Sequence, residues 1–280
     1  ADQLPSVGPG NVMGDIIDSG VVPCVKLTRR FRNAGSIADA AYDILSGKVP
    51  ELCDDSFEFR ECSSVDEVRE LLCAEYEAYA KKGVDVQLIA PIKRTDLGTI
   101  ALNSAIRERV NPPKTGKAEI TFGDRTFREG DRVMQIKNNY AREWRDDTSL
   151  TLGEGVFNGD IGTVAGITAG TVDVLFEDMK RCEYETMALS ELDGAYAYTI
   201  HKSQGSEFDV ILMPMMYGAQ PFLTRNLLYT GVTRAKRKVL VAGSMRTFEH
   251  MIGNAWQGRR ATVLKRELMY LDRLTNGQME

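Results

Sequence analysis

The residues best suited to chemistry stand together in one short stretch of the chain. An apolar, β-prone run at 197–200 leads into a polar loop, and a second apolar run at 208–213 follows it. Between them, positions 201–207 supply a histidine, a lysine, two serines, a glutamine, a glycine and a glutamate. Polar groups held between two buried strands lie on a rigid scaffold and face outward, as in many functional loops. The stretch therefore predicts a ligand-binding loop, and the alternative is an ordinary solvated turn.

Two arginines lie at loop–helix boundaries elsewhere in the chain. Arg32 follows a short apolar run and an aromatic residue, and Arg234 lies near the end of a predicted helix, just before another strand. A guanidinium group can reach a phosphate with a fixed, bidentate fork. Phosphate contacts are one interpretation of these two residues, and ordinary surface salt bridges are the other.

Several common enzyme motifs are absent from the sequence. There is no G-x-x-x-x-G-K-[ST] phosphate loop and no H-E-x-x-H zinc motif, and the chain has two histidines in all. The one Asp-Glu pair, Asp66-Glu67, opens a predicted helix and does not follow an apolar strand, so we interpret it as a helix cap. These absences argue against a self-contained ATPase, a zinc protease or a dinucleotide enzyme, and no metal site is predicted.

The composition is typical of a globular protein. The 280 residues are 43% hydrophobic and 27% charged, with a net charge of −5. That charge argues mildly against a nucleic-acid partner, although a local basic groove is enough for binding. The five cysteines show no C-x-x-C spacing, which indicates neither a zinc site nor a disulfide framework and favours a cytoplasmic location. No apolar run approaches the length of a membrane span, so no membrane partner is expected.

The order of apolar runs predicts an α/β domain with a small β-barrel inserted in it. Short β runs separated by glycine-containing turns fill residues 117–189, and strand–helix alternation lies on both sides of them. The pattern predicts helices at 11–19, 37–45, 65–82, 95–110 and 224–234. It predicts strands outside the β-rich region at 21–27, 57–61, 84–90, 197–200, 208–214 and 238–242.

Four stretches resemble motifs III, IV, V and VI of the superfamily-1 DNA helicases, in that order and at plausible spacing. They are Asp2-Gln3-Leu4-Pro5-Ser6-Val7-Gly8-Pro9-Gly10, Phe31-Arg32, Thr199-Ile200-His201-Lys202-Ser203-Gln204-Gly205-Ser206-Glu207-Phe208 and Tyr229-Thr230-Gly231-Val232-Thr233-Arg234-Ala235. The third stretch is similar to the RecD-type (5′→3′) branch, whose members include exodeoxyribonuclease V α-subunits. The resemblance covers essentially the whole chain.

The resemblance also implies an architecture. Residues 21–116 and 190–280 would form the second RecA-like domain, a parallel-sheet domain of the P-loop NTPase type. Residues 117–189 would form an SH3-like barrel inserted in it, and residues 1–20 would be the tail of the first RecA-like domain. Motifs I and II, which hold the phosphate loop and the magnesium-binding acidic pair, would lie before residue 1.

Roles for individual residues follow from the same resemblance. ATP with Mg²⁺ would bind between two RecA-like domains, and this chain would supply one wall of the site. The implied catalytic residues are the γ-phosphate sensor Gln3 and the arginine fingers Arg32 and Arg234. The implied nucleotide contacts are Gln204, Gly205, Glu207 and Lys202, of which Lys202 faces either a phosphate or the nucleic-acid backbone. The implied contacts to single-stranded DNA are Pro91, Lys93, Arg94, Thr199, His201 and Ser203.

Some of these roles have structural alternatives. His201 would either contact DNA or only hold the shape of its own loop. Tyr140 and Trp144, in the barrel region, would either stack on bases or pack within the domain.

The implied function is the C-terminal motor portion of an ATP-dependent 5′→3′ DNA helicase acting in DNA repair and recombination. Its expected partners are single-stranded DNA, the missing N-terminal RecA-like domain and the subunits of a recombination nuclease. The isolated chain is expected to be inactive as an ATPase. The alternatives are a non-enzymatic nucleic-acid-binding module and the helicase part of a conjugative relaxase or a Pif1-like helicase.

Overall fold

The computed structural model of the chain describes residue 4 and residues 10–25, 36–218, 220–256 and 261–275. In this part of the chain the α-helices are α1 (Val12–Ser19), α2 (Ser36–Ser46), α3 (Val65–Lys81), α4 (Thr99–Val110), α5 (Arg225–Val232), α6 (Met245–Gly253) and α7 (Leu264–Thr275). The strands are β1 (Cys53–Asp54), β2 (Phe57–Glu61), β3 (Val86–Ala90), β4 (Glu119–Phe122), β5 (Arg125–Arg128), β6 (Arg132–Gln135), β7 (Asn139–Asp146), β8 (Thr151–Val156), β9 (Ile161–Thr168), β10 (Thr171–Phe176), β11 (Arg181–Glu185), β12 (Leu192–Gly194), β13 (Ala197–Thr199), β14 (Phe208–Met215) and β15 (Ala235–Gly243). A 3₁₀ helix at Thr186–Glu191 precedes β12. No helix of the described ranges is long and apolar enough to cross a bilayer.

A six-stranded sheet forms the centre of the molecule, in the order β1-β2-β15-β14-β3-β13. Strand β1 pairs antiparallel with β2, and every other pair in this sheet is parallel. All five residues of β3 are buried, as expected for a strand covered on both faces. The sheet confirms the predicted α/β class with a parallel core.

Helices cover both faces of the parallel sheet. On one face, α2, α5 and α6 contribute to a core that includes Ile44, Leu228 and Phe248. On the other face, α3 and α4 contribute to a second core that includes Leu72 and Leu102. Each of these five side chains is fully buried. Burying a large aliphatic or aromatic side chain contributes about 1.5–3 kcal/mol, so the two cores hold the strand ends in fixed positions.

A second, antiparallel sheet is built from residues between α4 and β13. Its seven strands run in the order β12-β6-β9-β10-β11-β7-β8, and β4 pairs with β5 in a separate hairpin. Their buried side chains, among them Val164, Val174 and Tyr184, form a core of their own. The β-rich domain predicted inside the α/β domain is therefore present. Its antiparallel sheet continues through β12, directly before the parallel strand β13.

Most predicted elements outside the β-rich region are confirmed within a few residues at each end. The capping interaction of α3 is present, because Glu67 N donates to Ser64 Oγ at 3.2 Å. The strand predicted at 21–27 is wrong for residues 21–25, which form no strand, and Val25 is 85% exposed. The helix predicted from 95 begins at Thr99, after a turn in which Gly98 packs against the Lys93 backbone too closely for a Cβ atom.

One side chain fixes the point where the chain returns from the β-rich domain to the parallel sheet. Asn103, on α4, accepts a hydrogen bond from Ala197 N at 2.9 Å and donates one to Ala197 O at 2.6 Å. Both bonds pair the backbone at the first residue of β13. Because a buried backbone group is costly to leave unpaired, Asn103 fixes where β13 begins.

We expect Asn103→Ala to lower the free energy of unfolding by about 2 kcal/mol, because both backbone groups of Ala197 lose their partner. Ser104→Ala is the matched control on the same helix, since Ser104 is exposed. That control should change the free energy by less than about 0.5 kcal/mol. Urea unfolding followed by circular dichroism measures both values, and equal effects would contradict this role of Asn103.

Candidate functional site

The loop at residues 200–207 connects opposite edges of the parallel sheet. Thr199, at the end of β13, pairs with Ala90, whereas Val210, near the start of β14, pairs with Val86 on the same neighbouring strand. These two levels on β3 are about 13 Å apart at the usual rise of a strand. The loop therefore begins at the carboxyl edge of the sheet and ends at the amino edge.

Hydrogen bonds within the loop give it a defined turn structure. Lys202 N and Ser203 N both donate to Thr199 O, at 2.9 and 3.2 Å. Ser203 is fully buried, and its hydroxyl donates to Ile200 O at 2.7 Å. A buried hydroxyl is not accessible to a DNA strand on the surface, so the placement of Ser203 disfavours the predicted DNA contact. The side chain instead stabilises the shape of the loop. Gly205 is exposed and has a φ of 91°, a conformation that side-chain-bearing residues rarely adopt.

At the amino edge, Gln204 is linked to two distant parts of the chain through Leu4. Gln204 Nε2 donates to Leu4 O at 3.1 Å, and Leu4 N donates to Thr230 Oγ1 at 3.1 Å. The Thr230 hydroxyl in turn donates to Asn226 O at 2.7 Å within α5. The Leu4 side chain packs against the core of the same face. Three of the four stretches singled out in the sequence therefore meet at one residue.

Arg234 lies beside this junction, in the short connection between α5 and β15. The side chain is mostly buried, with the whole residue 7% exposed. Its guanidinium donates to Thr230 O at 3.1 Å, to Ser206 O at 3.1 Å and to Thr233 Oγ1 at 3.3 Å. Phe208 N donates to Arg234 O at 2.9 Å, which fixes the residue at the start of β14 and β15.

The charge of Arg234 is held in a partly desolvated place. Burial lowers the pKa of its guanidinium, and the nearby charge of Glu207 acts against that shift. Glu207 itself is exposed. Arginine stays protonated at physiological pH. A positive charge therefore lies at the amino edge of the sheet, next to the hydrogen bonds that join Gln204, Leu4 and Thr230. Arg234 is therefore a protonated, largely buried group whose hydrogen bonds go to uncharged oxygen atoms.

Two of the residues predicted to act at this site, Gln3 and Arg32, lie outside the described residues. Their roles stay predictions. In the described ranges, no group of three or more His, Cys, Asp or Glu side chains is arranged to hold a metal ion.

At the carboxyl edge, the residues predicted to contact nucleic acid lie on two adjacent loops. The loop after β3 contains Lys93 and Arg94, both exposed, and the half-buried Pro91. The loop after β13 begins with the half-buried Thr199 and the exposed His201. Because β3 and β13 are neighbours in a parallel pair, their carboxyl ends bring these loops together. The structure thus joins two sets of residues that are about a hundred positions apart.

The side chain of Lys202 lies at the same carboxyl edge. It lines a small pocket together with Lys93, Thr199 and Asp193, whereas Gln204 and Arg234 lie on the other side. Partial desolvation lowers the pKa of Lys202; Asp193 raises that pKa, and Lys93 and Arg125 lower it. Of the two interpretations left open for Lys202, its placement favours the nucleic-acid backbone.

A groove extends from this pocket between α4 and the β4–β5 hairpin, lined by more basic than acidic side chains; the acidic ones are Asp124, Asp131 and Asp193. The basic lining residues come from four different elements and are Lys93, Arg94, Arg107, Arg125 and Arg132. The last three of these were not among the predicted site residues. Only the fold brings these arginines together, so no local sequence pattern marks them.

The two aromatic candidates of the β-rich domain differ in their surroundings. Tyr140 is 72% exposed and contacts the edge of Phe157, with 5.5 Å between ring centroids. Trp144 packs against the core of the antiparallel sheet, and Lys180 Nζ lies 5.4 Å from its ring centroid. The placement of Trp144 favours a packing role, and Tyr140 presents its ring to solvent.

Thr230→Val should break the junction at Leu4 while leaving the shape of the core intact. With no acceptor for its N–H, Leu4 should exchange its amide hydrogen about tenfold faster, which corresponds to the loss of one hydrogen bond. Hydrogen–deuterium exchange followed by NMR measures that rate. Thr247→Val is the matched control, because Thr247 is also buried and its hydroxyl also donates to a carbonyl, Tyr217 O, at 2.8 Å. An equal acceleration at Leu4 in both variants would refute the junction.

Two parts of the chain match known families of helicase domains. Residues 102–176 match the family described as the ATP-dependent RecD-like DNA helicase SH3 domain, and residues 194–242 match the UvrD-like helicase C-terminal domain. The chain is 29% identical over 267 residues to the ATP-dependent RecD2 DNA helicase of Deinococcus radiodurans, an alignment of 95% of this chain and 34% of that protein. It is 42% identical over 97 residues to the RecBCD enzyme subunit RecD of Mycobacterium tuberculosis, covering 35% of this chain and 17% of that one.

Among solved structures, the chain is similar to the Pif1 helicase from Bacteroides in complex with ADP-AlF3 and ssDNA. The two are 16% identical with a TM-score of 0.49, over 91% of this chain and 57% of the other. The chain spans about a third of the length of the first curated relative it matches. Both matched families are helicase domains, and they cover most of the β-rich domain and the strands β13 to β15 of the parallel sheet. These matches and the RecD-named relatives support the resemblance of the chain to a C-terminal part of the RecD-type superfamily-1 helicases.

Proposed function

We propose that this chain supplies one wall of the ATP site and part of the strand-binding surface of an ATP-dependent 5′→3′ DNA helicase. The observation that carries the proposal is the junction at Leu4, which joins Gln204 of the loop after β13 to Thr230 of α5. That junction lies at one edge of the sheet, and the predicted DNA contacts lie at the other. A single loop connects them.

At the amino edge, Arg234 is the group best placed to act on a phosphate. In this structure its three hydrogen bonds go to uncharged oxygen atoms. Charge-assisted hydrogen bonds to an anion are about twice as strong as neutral ones, so a γ-phosphate would compete well for this guanidinium. Arg234 would then offset the negative charge that develops during phosphoryl transfer, with Arg32 as a second finger. Bound ATP with Mg²⁺ supplies the phosphoryl group for that transfer.

Gln204 and Glu207 would complete this wall of the ATP site. The Gln204 amide contacts the backbone of the stretch that contains Gln3, the predicted γ-phosphate sensor. A change at the γ-phosphate would reach Leu4 first and the loop at 200–207 next. Glu207 is exposed beside Arg234 and is proposed to contact the nucleotide sugar.

At the carboxyl edge, the exposed cations would bind the backbone of single-stranded DNA. Lys93, Arg94 and Lys202 lie around one pocket and the adjoining groove, with Thr199 at its wall. Contacts of this kind read no base sequence and weaken as salt is added. The groove provides the local positive surface that the net charge of −5 does not reveal.

The loop at 200–207 would couple the two edges. One end follows the DNA-contacting residue Thr199 and the other leads through Gln204 to the ATP wall. Movement of one RecA-like domain against the other during the ATP cycle would shift this loop and pull on the bound strand.

A second candidate function is non-enzymatic. The isolated chain would bind single-stranded DNA weakly and hydrolyse no ATP, because its sequence contains no phosphate loop. The non-enzymatic role would apply to the isolated chain, and the helicase role would apply to the same chain within a complete motor.

The partners of a complete motor stay proposals as well. The relative from Mycobacterium tuberculosis is named as a subunit of the RecBCD enzyme, and another relative is named as a conjugal transfer protein. Recombination nuclease subunits are the partners proposed for this chain.

We expect Arg234→Ala, in a helicase that joins this chain to a phosphate-loop domain, to slow ATP hydrolysis about 10³–10⁵-fold. The reason is the loss of the positive charge facing the γ-phosphate. Steady-state phosphate release measures the rate, and retained binding of single-stranded DNA shows that the variant is folded. Arg237→Ala is the matched control, because Arg237 is exposed three residues further along β15. Nearly normal hydrolysis in Arg234→Ala would reject the proposed role.

For the isolated 280-residue chain we expect binding of a fluorescent oligothymidylate without measurable ATP hydrolysis. Binding should weaken steeply with salt, as it does for other backbone contacts. Fluorescence anisotropy at several salt concentrations measures the affinity. ATP turnover by a clean preparation of the chain would reject the non-enzymatic candidate.

Lys93→Ala tests whether that binding uses the predicted edge of the sheet. We expect about threefold weaker binding and a salt dependence that is shallower by about 0.7 in the logarithmic slope, because one phosphate contact is lost. Lys81→Ala is the control: it also removes a lysine, but from α3, where Lys81 is paired with Glu77 at 2.6 Å. Equal effects of the two substitutions would show that the DNA strand does not bind at the carboxyl edge of the sheet.

A further inference from the structure

The carboxylate of Asp193 lies among the cations of the proposed DNA edge, and Asp124 and Asp131 line the adjoining groove. Asp193 Oδ2 accepts a hydrogen bond from Lys93 Nζ at 3.2 Å, and Asp193 Oδ1 lies 3.9 Å from Arg125 Nε. Asp193 and Lys202 line the same pocket. These cations belong to three separate elements: the loop after β3, strand β5 and the loop after β13. One negative group therefore faces three positive groups that the fold brings together.

Asp193 is placed where the antiparallel sheet meets the parallel sheet. It is the middle residue of β12 and pairs with Met134 on β6. Four residues later, at Ala197, the chain enters β13, and the loop at 200–207 follows that strand. Asp193 is thus on the strand that connects the β-rich domain to the DNA edge.

We propose that Asp193 occupies, in the protein without DNA, the place of one backbone phosphate of single-stranded DNA. Lys93, Arg125 and Lys202 would then form the subsite for that phosphodiester, and Asp193 would be a built-in competitor for it. This inference rests on the proposed function, since it requires that a strand binds along this edge.

Two of the three cations have supports that do not depend on the carboxylate. Arg125 Nη1 donates to Leu192 O at 2.6 Å, and this bond does not involve Asp193. Lys93 is held on a loop that is fixed by backbone bonds from Thr99 N to Ile92 O and from Ile100 N to Lys93 O. A phosphate would therefore meet a prearranged set of donors, with only the carboxylate to be exchanged.

The contacts of Asp193 are looser than those of the structural ion pairs in the same domain. Arg181 contacts Asp173 at 2.6 and 2.8 Å with two nitrogen atoms. Asp193 accepts hydrogen bonds from Lys93 Nζ at 3.2 Å and from Gly194 N at 3.1 Å, and its approach to Arg125 is 3.9 Å. The Lys93 side chain is 45% exposed, and a single long contact to an exposed lysine contributes little to stability, so a polyanion can compete for that lysine.

The test is the affinity of the 280-residue chain for a fluorescent oligothymidylate of about 15 nucleotides, a length that covers a typical site. At low salt, Asp193→Asn should bind about two- to fivefold more tightly than wild type, and the gain should shrink as salt screens the charges. Asp193→Glu keeps the competitor and should bind no more tightly than wild type.

Asp55→Asn is the matched control. It removes the same charge from an exposed position between β1 and β2, at the end of the parallel sheet opposite β13. Its substitution should leave the affinity within about 1.5-fold of wild type. An equal gain from both substitutions would show a general effect of net charge and would overturn the proposal.

A double substitution shows whether Asp193 acts through the subsite. In a Lys93→Ala background, Asp193→Asn should give a clearly smaller gain than in wild type, because one of the released cations is gone. An undiminished gain would mean that the carboxylate acts on something other than this subsite.

The remaining outcomes separate this inference from the function on which it rests. Unchanged or weaker binding by a folded Asp193→Asn variant, beside normal binding by wild type, would overturn the competitor role alone. If Asp193→Asn does not fold, Asp193→Ser carries the same expectation, and failure of both to fold would make Asp193 a structural residue. A wild-type chain that does not bind oligothymidylate would overturn both the DNA contact and the inference.

Discussion

A parallel sheet requires each connection to return from the carboxyl edge to the amino edge before the next strand can begin. In this chain that requirement falls on the eight residues between β13 and β14. No helix intervenes, so the polar residues of a short loop make the crossing themselves. The two edges of the sheet are thereby joined by one continuous backbone segment, and the proposed nucleotide and DNA contacts in the described part of the chain lie around its two ends.

The junction at Leu4 fixes the position of the crossing loop with only two hydrogen bonds. Two hydrogen bonds through one backbone unit link segments that are about two hundred residues apart. Each contributes about 1 kcal/mol net, which is enough to position the loop and small enough to be exchanged. A link of this strength would suit the proposed motor, because a bound nucleotide would need only a few kcal/mol of differential binding to change the geometry of the link.

The sequence predicts the parallel sheet well because its strands are continuous apolar runs with polar boundaries, as at β3 and β14. It does not predict β7, whose residues alternate between exposed and half-buried without a buried position. The wrong strand at 21–25 has the opposite origin, since apolar residues there are exposed and form no ladder. Local periodicity identifies an element only where one of its faces is buried.

Some residues of the candidate site can be recognised from the sequence, and others only from the fold. Gln204 and Arg234 lie in continuous polar stretches between apolar runs, so their importance is visible in the sequence itself. Arg125 and Asp193 are single charged residues in unremarkable surroundings, and they gain significance only from a contact across 68 positions. A net charge counts such residues but cannot locate them. At the proposed DNA edge, the sign of the electrostatic field is set by which cations the fold brings together and by which of them a carboxylate already faces.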